Sequence, residues 1–329
     1  MGSNSELTVD SEMSWKNSKR LPKLIRAGNL KQVQKYIQLN PNSEIGDEPP
    51  VHIAVAYGHQ DILAYFLDVV GVPLSTLNRS FDSLMHTAIR KEQPQMIREL
   101  HRRGLVFPTA SYWNITSLHL AVALDNYSIV GIIIELGHHD GIDLLSIENK
   151  LGCIPLFEAR SPAMLETLIK AEADITKKST ANGKTIFHHI MGRCCPVVEC
   201  LDILVRAGNR KSPGLGSKLL EAPDWRGSAP FLCCKSSQEE IIGVIRLGCN
   251  PHYAHPRDGN LLDRMMIAPP CTEIFNMLVA LGLEPQLENN RQLLDISIHH
   301  LDPKFVLATR YNAYFGHSLV FRLLLALGV

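Results

Sequence analysis

Three segments in the first half of the chain share one pattern of histidine, alanine and apolar residues. They are Pro50–Ala54, Leu84–Ala88 and Ser117–Ala121. Each segment has a histidine two residues before an alanine, and these histidines are separated by 34 and then 33 residues. Self-similarity at a fixed period of this length is typical of a chain built from stacked supersecondary units, each too small to bury its apolar side alone.

This pattern resembles the ankyrin repeat, whose signature T-P-L-H-x-A recurs about every 33 residues. Weaker copies of the motif follow at Asn149–Ala159, Asn182–His188, Trp225–Leu232 and Asp258–Leu262. A first unit without the motif begins near Ala27. The resemblance covers residues 21–329 and gives eight or nine units, because residues 289–329 fit either one unit with a long insert or two damaged units.

Helix boundaries predicted from local sequence agree with this template. Proline is expected to begin the first helix of some units, a hydroxyl residue is expected to cap others, and glycine is expected to end the second helix. The prolines are Pro50, Pro155 and Pro230, the caps are Ser83, Thr116 and Thr185, and the glycines are Gly104, Gly137, Gly208, Gly248 and Gly282. Between these boundaries the apolar residues recur three and four apart, which favours amphipathic helices.

The resemblance therefore implies an all-α solenoid of about eight or nine helix-turn-helix units with short hairpin loops. Residues 1–20 are expected to be a disordered N-terminal segment, and residues 21–329 are expected to form the repeats. Residues 21–138 are predicted to be regular, whereas residues 139–329 are predicted to be degenerate. Residues 210–223 are rich in glycine, serine and lysine, and they are predicted to be an inserted mobile loop.

Composition excludes several classes of function. Lys plus Arg and Asp plus Glu each total 33, so the net charge is zero and direct nucleic-acid binding is not expected. No apolar run reaches the roughly 20 residues of a membrane span, so no membrane association is expected. The chain has only eight cysteines, and its first residues lack a secretory pattern. Residence in the cytoplasm or the nucleus is therefore expected.

No pattern in the chain predicts catalysis, a cofactor or a metal. The resemblance implies that His52, His86, His119 and His188 bond backbone groups of neighbouring units rather than a metal. Gly183-Lys184-Thr185 imitates the end of a phosphate-binding loop, but Lys178 stands where that loop needs its first glycine. The adjacent pair Cys194-Cys195 does not match zinc-ligand spacing. We therefore expect the protein not to be an enzyme.

The resemblance implies that the chain binds proteins through hairpin tips and the concave face of its first helices. Aromatic and basic residues at these places are candidate binding residues, because Trp, Tyr and Arg are enriched in interface hot spots. The candidates are Tyr57, Arg90, Lys91, Tyr112, Trp113, Leu124, Trp225 and Arg226. An alternative for the two tryptophans is that either one folds back over its own unit.

The predicted function is that of a monomeric, non-catalytic scaffold or adaptor for proteins. One alternative is a nuclear transcription co-regulator that acts through a DNA-binding partner. Another is a non-catalytic subunit of an enzyme complex.

Overall fold

The computed structural model describes most of the chain up to residue 263. The described residues are 20–40, 48–105, 107, 114–192, 196–233, 238–255, 257, 259–261, 263 and 282–283. The predicted disordered segment 1–20 lies outside them except for Arg20, and residues 289–329 lie outside them altogether. The chain divides into two compact units, one of residues 1–159 with 171–173 and one of residues 160–170 with 174–329.

The described residues of the first unit form four helical hairpins in chain order. Their helices are α1 Arg20–Arg26, α2 Leu30–Leu39, α3 Pro50–Ala56, α4 Gln60–Ala64, α5 Leu84–Arg90, α6 Pro94–Arg102, α7 Ser117–Ala123 and α8 Tyr127–His139. A π-helical turn, Tyr65–Val69, continues α4, and a 3₁₀ turn, Pro155–Glu158, follows α8. Each odd-numbered helix packs against its own partner and against the odd-numbered helices before and after it. The odd-numbered helices are therefore the inner layer of the unit.

The inner helices are short and almost wholly apolar because neighbours cover them on several sides. In α3 every residue from Pro50 to Val55 is buried, and α7 is buried from Ser117 to Val122. The outer helices bury only residues spaced three and four apart, such as Met96, Ile97 and Leu100 in α6. Full burial of one large apolar side chain is worth about 1.5–3 kcal/mol, and this drives the stacking of the hairpins.

Local sequence sets where these helices begin. The hydroxyls of Ser83 and Thr116 accept hydrogen bonds from the backbone N–H groups of His86 and His119, three residues further on. Pro50 is the first residue of α3, where a missing N–H leaves no bond unmade. The predicted N-caps and the proline start are thus present in the inner helices.

The second unit is less regular. Its described helices are α9 Pro162–Lys170, α10 Ile186–Met191, α11 Val197–Lys211, α12 Leu215–Glu221 and α13 Gln238–Arg246, with a second 3₁₀ turn at Pro230–Cys233. At Pro155 in the first unit and at Pro230 in the second, four-residue 3₁₀ turns replace a full inner helix. Pro162 begins α9 only four residues after Glu158, which leaves no room for a full inner helix at Pro155.

The predicted mobile loop at residues 210–223 is wrong. Helix α11 continues to Lys211, and residues Leu215–Glu221 form helix α12, which packs against α11. The Gly216 N–H donates to the Asn209 side-chain oxygen over 3.0 Å, and Leu220 is fully buried. Glycine allows close backbone packing as well as mobility, so the composition of residues 210–223 does not by itself indicate a mobile loop.

Two of the glycines predicted to end helices do not end them. Gly137 lies inside α8, where an added Cβ would lie 2.6 Å from Leu144 Cδ1. Gly208 lies inside α11, where an added Cβ would lie 2.9 Å from the Gly216 backbone nitrogen. Both positions need glycine for close packing. The left-handed turns come later, at Gly141 with φ +71° and Gly214 with φ +77°.

The predicted all-α fold of helical hairpins with short connections is confirmed for the described residues. These residues form no β-strand, although an isolated bridge joins His255 to Gly259. Among the helices described, none combines the length and apolar character needed to span a membrane.

Candidate partner-binding surface

Three of the predicted binding residues occupy the same position in three successive hairpins. Tyr57, Lys91 and Leu124 are the C-cap residues of α3, α5 and α7, and we call them the C-cap row. Tyr57 is 51% exposed, Leu124 is 45% exposed, and Lys91 is also exposed. The C-cap row therefore presents an aromatic, a cationic and an aliphatic side chain at the ends of the inner helices.

The turn after each inner helix fixes the direction of the C-cap row. The next residue has a positive φ in every case, +75° at Gly58, +52° at Glu92 and +57° at Asp125. This left-handed conformation ends the helix and reverses the chain into the outer helix. Because the turn repeats, the three side chains emerge at equivalent places.

The Tyr57 ring is held by its neighbours while half of it remains exposed. Its ring plane lies within 7° of the His59 ring plane at a centroid distance of 6.4 Å. The Arg26 guanidinium carbon lies 6.0 Å from the Tyr57 ring centroid, within cation–π range. His59 Nε2 in turn donates to the Arg26 carbonyl over 3.2 Å. A partly ordered aromatic ring loses little conformational entropy when a partner covers it.

Arg90 is a predicted binding residue that also has a structural bond. Its Nε donates to a carboxylate oxygen of buried Asp82 over 3.0 Å, and about half of the Arg90 side chain remains exposed. Asp82 is the last residue of a loop of residues 77–82 before α5, which we call the Phe81 hairpin. In this loop Asn78 Oδ1 accepts from the N–H groups of Ser80 and Asp82. The ion pair thus ties this hairpin to the end of α5.

The Phe81 hairpin also has two exposed apolar residues that were not among the predicted binding residues. Phe81 is 56% exposed with φ +58°, a conformation that strains a bulky residue, and Leu77 is also exposed. The available signal was two large apolar residues among polar ones in Leu77-Asn78-Arg79-Ser80-Phe81-Asp82. An exposed aromatic residue in a strained turn is a candidate contact for a partner.

A series of buried histidines joins consecutive hairpins, and we call it the histidine series. Nε2 of each histidine lies 2.8–3.1 Å from a carbonyl oxygen in the loop before the next inner helix or 3₁₀ turn. The pairs are His52 with Thr76, His86 with Ile115, His119 with Cys153 and His188 with Ser228. A carbonyl only accepts, so Nε2 carries the proton and Nδ1 accepts from a threonine or serine hydroxyl.

The environment of the histidine series favours the neutral imidazole. Burial lowers the pKa of His52, His86, His119 and His188 below the ordinary value of 6.5, and the backbone carbonyl bond opposes this only in part. Every buried polar side-chain atom among the described residues has a hydrogen-bond partner. These histidines therefore bond backbone groups between hairpins, as the ankyrin resemblance implied.

The match to a known repeat protein agrees with this geometry. No family model matches the chain. Over 202 residues, however, it is 29% identical to the ANK repeat-containing protein nipk-1 of Caenorhabditis elegans. The described hairpins of this chain have the ankyrin-repeat fold. The aligned region covers 60% of this chain and only 28% of nipk-1, so the chain spans less than a third of that relative.

Two solved structures are similar to this chain at lower levels. The ankyrin repeat domain of Bcl-3, described as a member of the IkappaB protein family, has a TM-score of 0.49 and 19% identity. That match covers 66% of this chain and 93% of the other. A chain in the complex of the Bdellovibrio bacteriovorus endopeptidase Bd0816 with immunity protein Bd3460 has a TM-score of 0.43 and 23% identity, covering 61% and 97%.

The second unit of the chain contains Trp225 and Arg226. Trp225 is 66% exposed, in a turn where Asp224 Oδ1 accepts from the N–H groups of Arg226 and Ser228. Its indole covers Gly183 of the preceding hairpin so closely that an added Cβ there would clash with the ring. Trp225 therefore packs on the preceding repeat with one part of its ring and exposes the rest, and exposed Arg226 lies beside it.

The described binding residues predicted from the sequence belong to both units of the chain. Arg90 and the C-cap row belong to the first unit, whereas Trp225 and Arg226 belong to the second. Tyr112 and Trp113 lie outside the described residues. As a binding site, the set stays a prediction.

Proposed function

We propose that this protein is a non-catalytic scaffold or adaptor that binds other proteins, as a monomer, in the cytoplasm or the nucleus. The observation that supports this most is the C-cap row, in which three exposed side chains of different chemistry repeat at one structural position. A surface that repeats with the fold suits an extended partner segment that crosses several hairpins.

The Phe81 hairpin supports the same proposal. Arg90 binds Asp82 and holds this hairpin at the end of α5, one residue before Lys91 of the C-cap row. Exposed Phe81 follows Ser80 in this hairpin, Arg90 bonds to its neighbour Asp82, and aromatic and arginine side chains are the usual anchors of protein interfaces. We therefore propose that the partner contacts Phe81 and Arg90 in addition to the C-cap row.

The test compares two triple variants of the full chain in crosslinking with mass spectrometry. One carries Tyr57→Ala, Lys91→Ala and Leu124→Ala. The matched control carries Leu39→Ala, Val69→Ala and Arg102→Ala, all exposed positions at or near the ends of outer helices or their extensions. We expect the first variant to lose partners that the control keeps, with the thermal stability of both close to that of the parent.

Equal loss of partners in both triple variants would place the binding surface elsewhere in the chain. Full retention in both would do the same and would leave Phe81, Arg90, Trp225 and Arg226 as the described candidates still to be tested. Light scattering of the purified chain checks the expected monomeric state, and a dimer would contradict that part of the proposal.

A further inference from the structure

Two outer helices end beside each other in the first unit and bring three metal-ligating side chains together. His101 lies in the last turn of α6, His139 is the last residue of α8, and Asp140 is its C-cap residue. One ligand atom from each lies within 4.8 Å of the others. None of these residues belongs to the histidine series, whose imidazoles are occupied by hydroxyl and carbonyl partners.

The three side chains already converge on one carboxylate. His101 Nε2 lies 2.8 Å and 3.0 Å from the two oxygens of Asp140, and His139 Nδ1 lies 3.2 Å from one of them. A tetrahedral zinc ion with bonds of about 2.0–2.2 Å holds its ligand atoms about 3.3–3.6 Å apart. Small side-chain rotations would therefore replace these hydrogen bonds by coordination bonds.

Two of the three ligands are held in place, and the third can adjust. The His101 ring stacks on buried Phe107 at a centroid distance of 5.8 Å, and the His101 and Asp140 side chains are 16% and 19% exposed. The His139 side chain is 78% exposed, so it can rotate, and solvent reaches the cluster beside it. A rigid pair of ligands with one mobile partner gives both geometry and an entry path.

The local electrostatics also favour a cation. The C-terminal ends of α6 and α8 carry partial negative charge from carbonyl groups without helical partners. Hydrogen bonds from His101 and His139 hold the pKa of Asp140 below its ordinary value, so it remains a carboxylate at neutral pH. Nearby Arg102 and Arg103 are both paired with Glu99, and Arg103 also contacts Asp68.

We propose that His101, His139 and Asp140 form a binding site for Zn²⁺ with three protein ligands and a fourth position for water or for a group of a partner protein. Binding requires neutral imidazoles, so it displaces any protons held between the histidines and Asp140. The bound ion joins α6 to α8 and thereby crosslinks two consecutive repeats. This inference goes beyond the proposed function and does not depend on it.

The experiment measures zinc binding by the full chain at pH 7.5 after removal of metal with a chelator. Titration of Zn²⁺ against a chromophoric competitor gives the affinity, and thermal unfolding with and without Zn²⁺ gives the stabilisation. His139→Ala is the decisive variant because its exposed ring contributes little to packing. Exposed His138→Ala, one residue earlier in α8, is the matched control.

We expect His139→Ala to weaken zinc binding by more than about tenfold, as loss of one ligand from a three-ligand site requires, and to abolish the zinc-dependent rise in Tm. His138→Ala should behave like the parent, and Asp140→Asn should weaken binding while the chain stays folded. Equal zinc affinity in the parent, His138→Ala and His139→Ala would overturn the proposal, since any bound zinc would then lie elsewhere.

Discussion

His119 shows how much of this fold depends on single polar residues. Its imidazole joins the cap of its own helix to a carbonyl in the next hairpin, through Thr116 on one side and Cys153 on the other. His52, His86 and His188 make corresponding bonds to hydroxyl and carbonyl groups. Each histidine therefore couples packing between repeats to its own protonation state.

We predict that the protein loses stability as the pH falls below about 6.5. Burial lowers the pKa of His52, His86, His119 and His188 in the folded state, so only the unfolded chain takes up protons readily in that range. Stability is complete above the unfolded pKa and falls toward the folded pKa, with a limiting slope of about 1.4 kcal/mol per pH unit for each histidine. Urea unfolding at pH 7.5, 6.5 and 5.5 measures the slope.

The control for the pH effect is His119→Gln, whose amide can donate to a carbonyl but does not titrate in this range. We expect it to be less stable than the parent at pH 7.5 and to have a smaller pH slope. An unchanged slope in this variant would mean that His119 does not contribute to the effect.

At the scale of the element, α12 shows that glycine in this chain has more than one role. Gly216 begins the contact between α12 and α11, where an added Cβ would clash with the Val205 carbonyl oxygen. Gly131 lies in the middle of α8, and an added Cβ there meets nothing within 4 Å. The same substitution should therefore have opposite effects at the two positions.

We predict that Gly216→Ala destabilises the protein by about 1–3 kcal/mol, because it forces α12 away from α11. Gly131→Ala should stabilise it by up to about 1 kcal/mol, because alanine favours the helix and reduces the freedom of the unfolded chain. Denaturant unfolding of both variants measures the difference. A neutral Gly216→Ala would show that α12 moves away at no cost, as the mobile-loop prediction required.

At the scale of the whole molecule, the irregular repeats among the described residues come after the regular ones in chain order. Inner helices α3, α5 and α7 are complete, whereas the 3₁₀ turns Pro155–Glu158 and Pro230–Cys233 replace inner helices further on. In a repeat protein, stability is approximately a sum of local and nearest-neighbour contributions. Differences between repeats should therefore appear as differences in local opening.

We predict that backbone amides in the two 3₁₀ turns exchange with deuterium at least about tenfold faster than those in α3, α5 and α7. A four-residue turn makes fewer backbone bonds than a full inner helix and opens at a smaller free-energy cost. Hydrogen exchange with mass spectrometry on the full chain resolves these segments. Uniform protection across all five would show that the chain opens only as one cooperative body.

Part of the candidate site could be predicted from the repeat register alone. Aligned hairpins place equivalent residues at equivalent structural positions, so Tyr57, Lys91 and Leu124 were predicted on the inner-helix surface, and they lie at its exposed ends. The exposure of Phe81 and the Arg90–Asp82 ion pair were not predicted. They depend on the path of one hairpin, which varies in sequence from repeat to repeat.

The sequence by itself determined the repeat pattern, the helical hairpins, the caps at Ser83 and Thr116 and the bonding role of the histidine series. These features follow from local patterns and from contacts that recur at the repeat period. The tertiary structure alone decided that residues 215–221 pack as a helix and that Gly137 and Gly208 serve close packing. It also decided that His101 meets His139 and Asp140. Each of these depends on contacts with other segments that do not recur with the repeat, and no local pattern records where the other segment will lie.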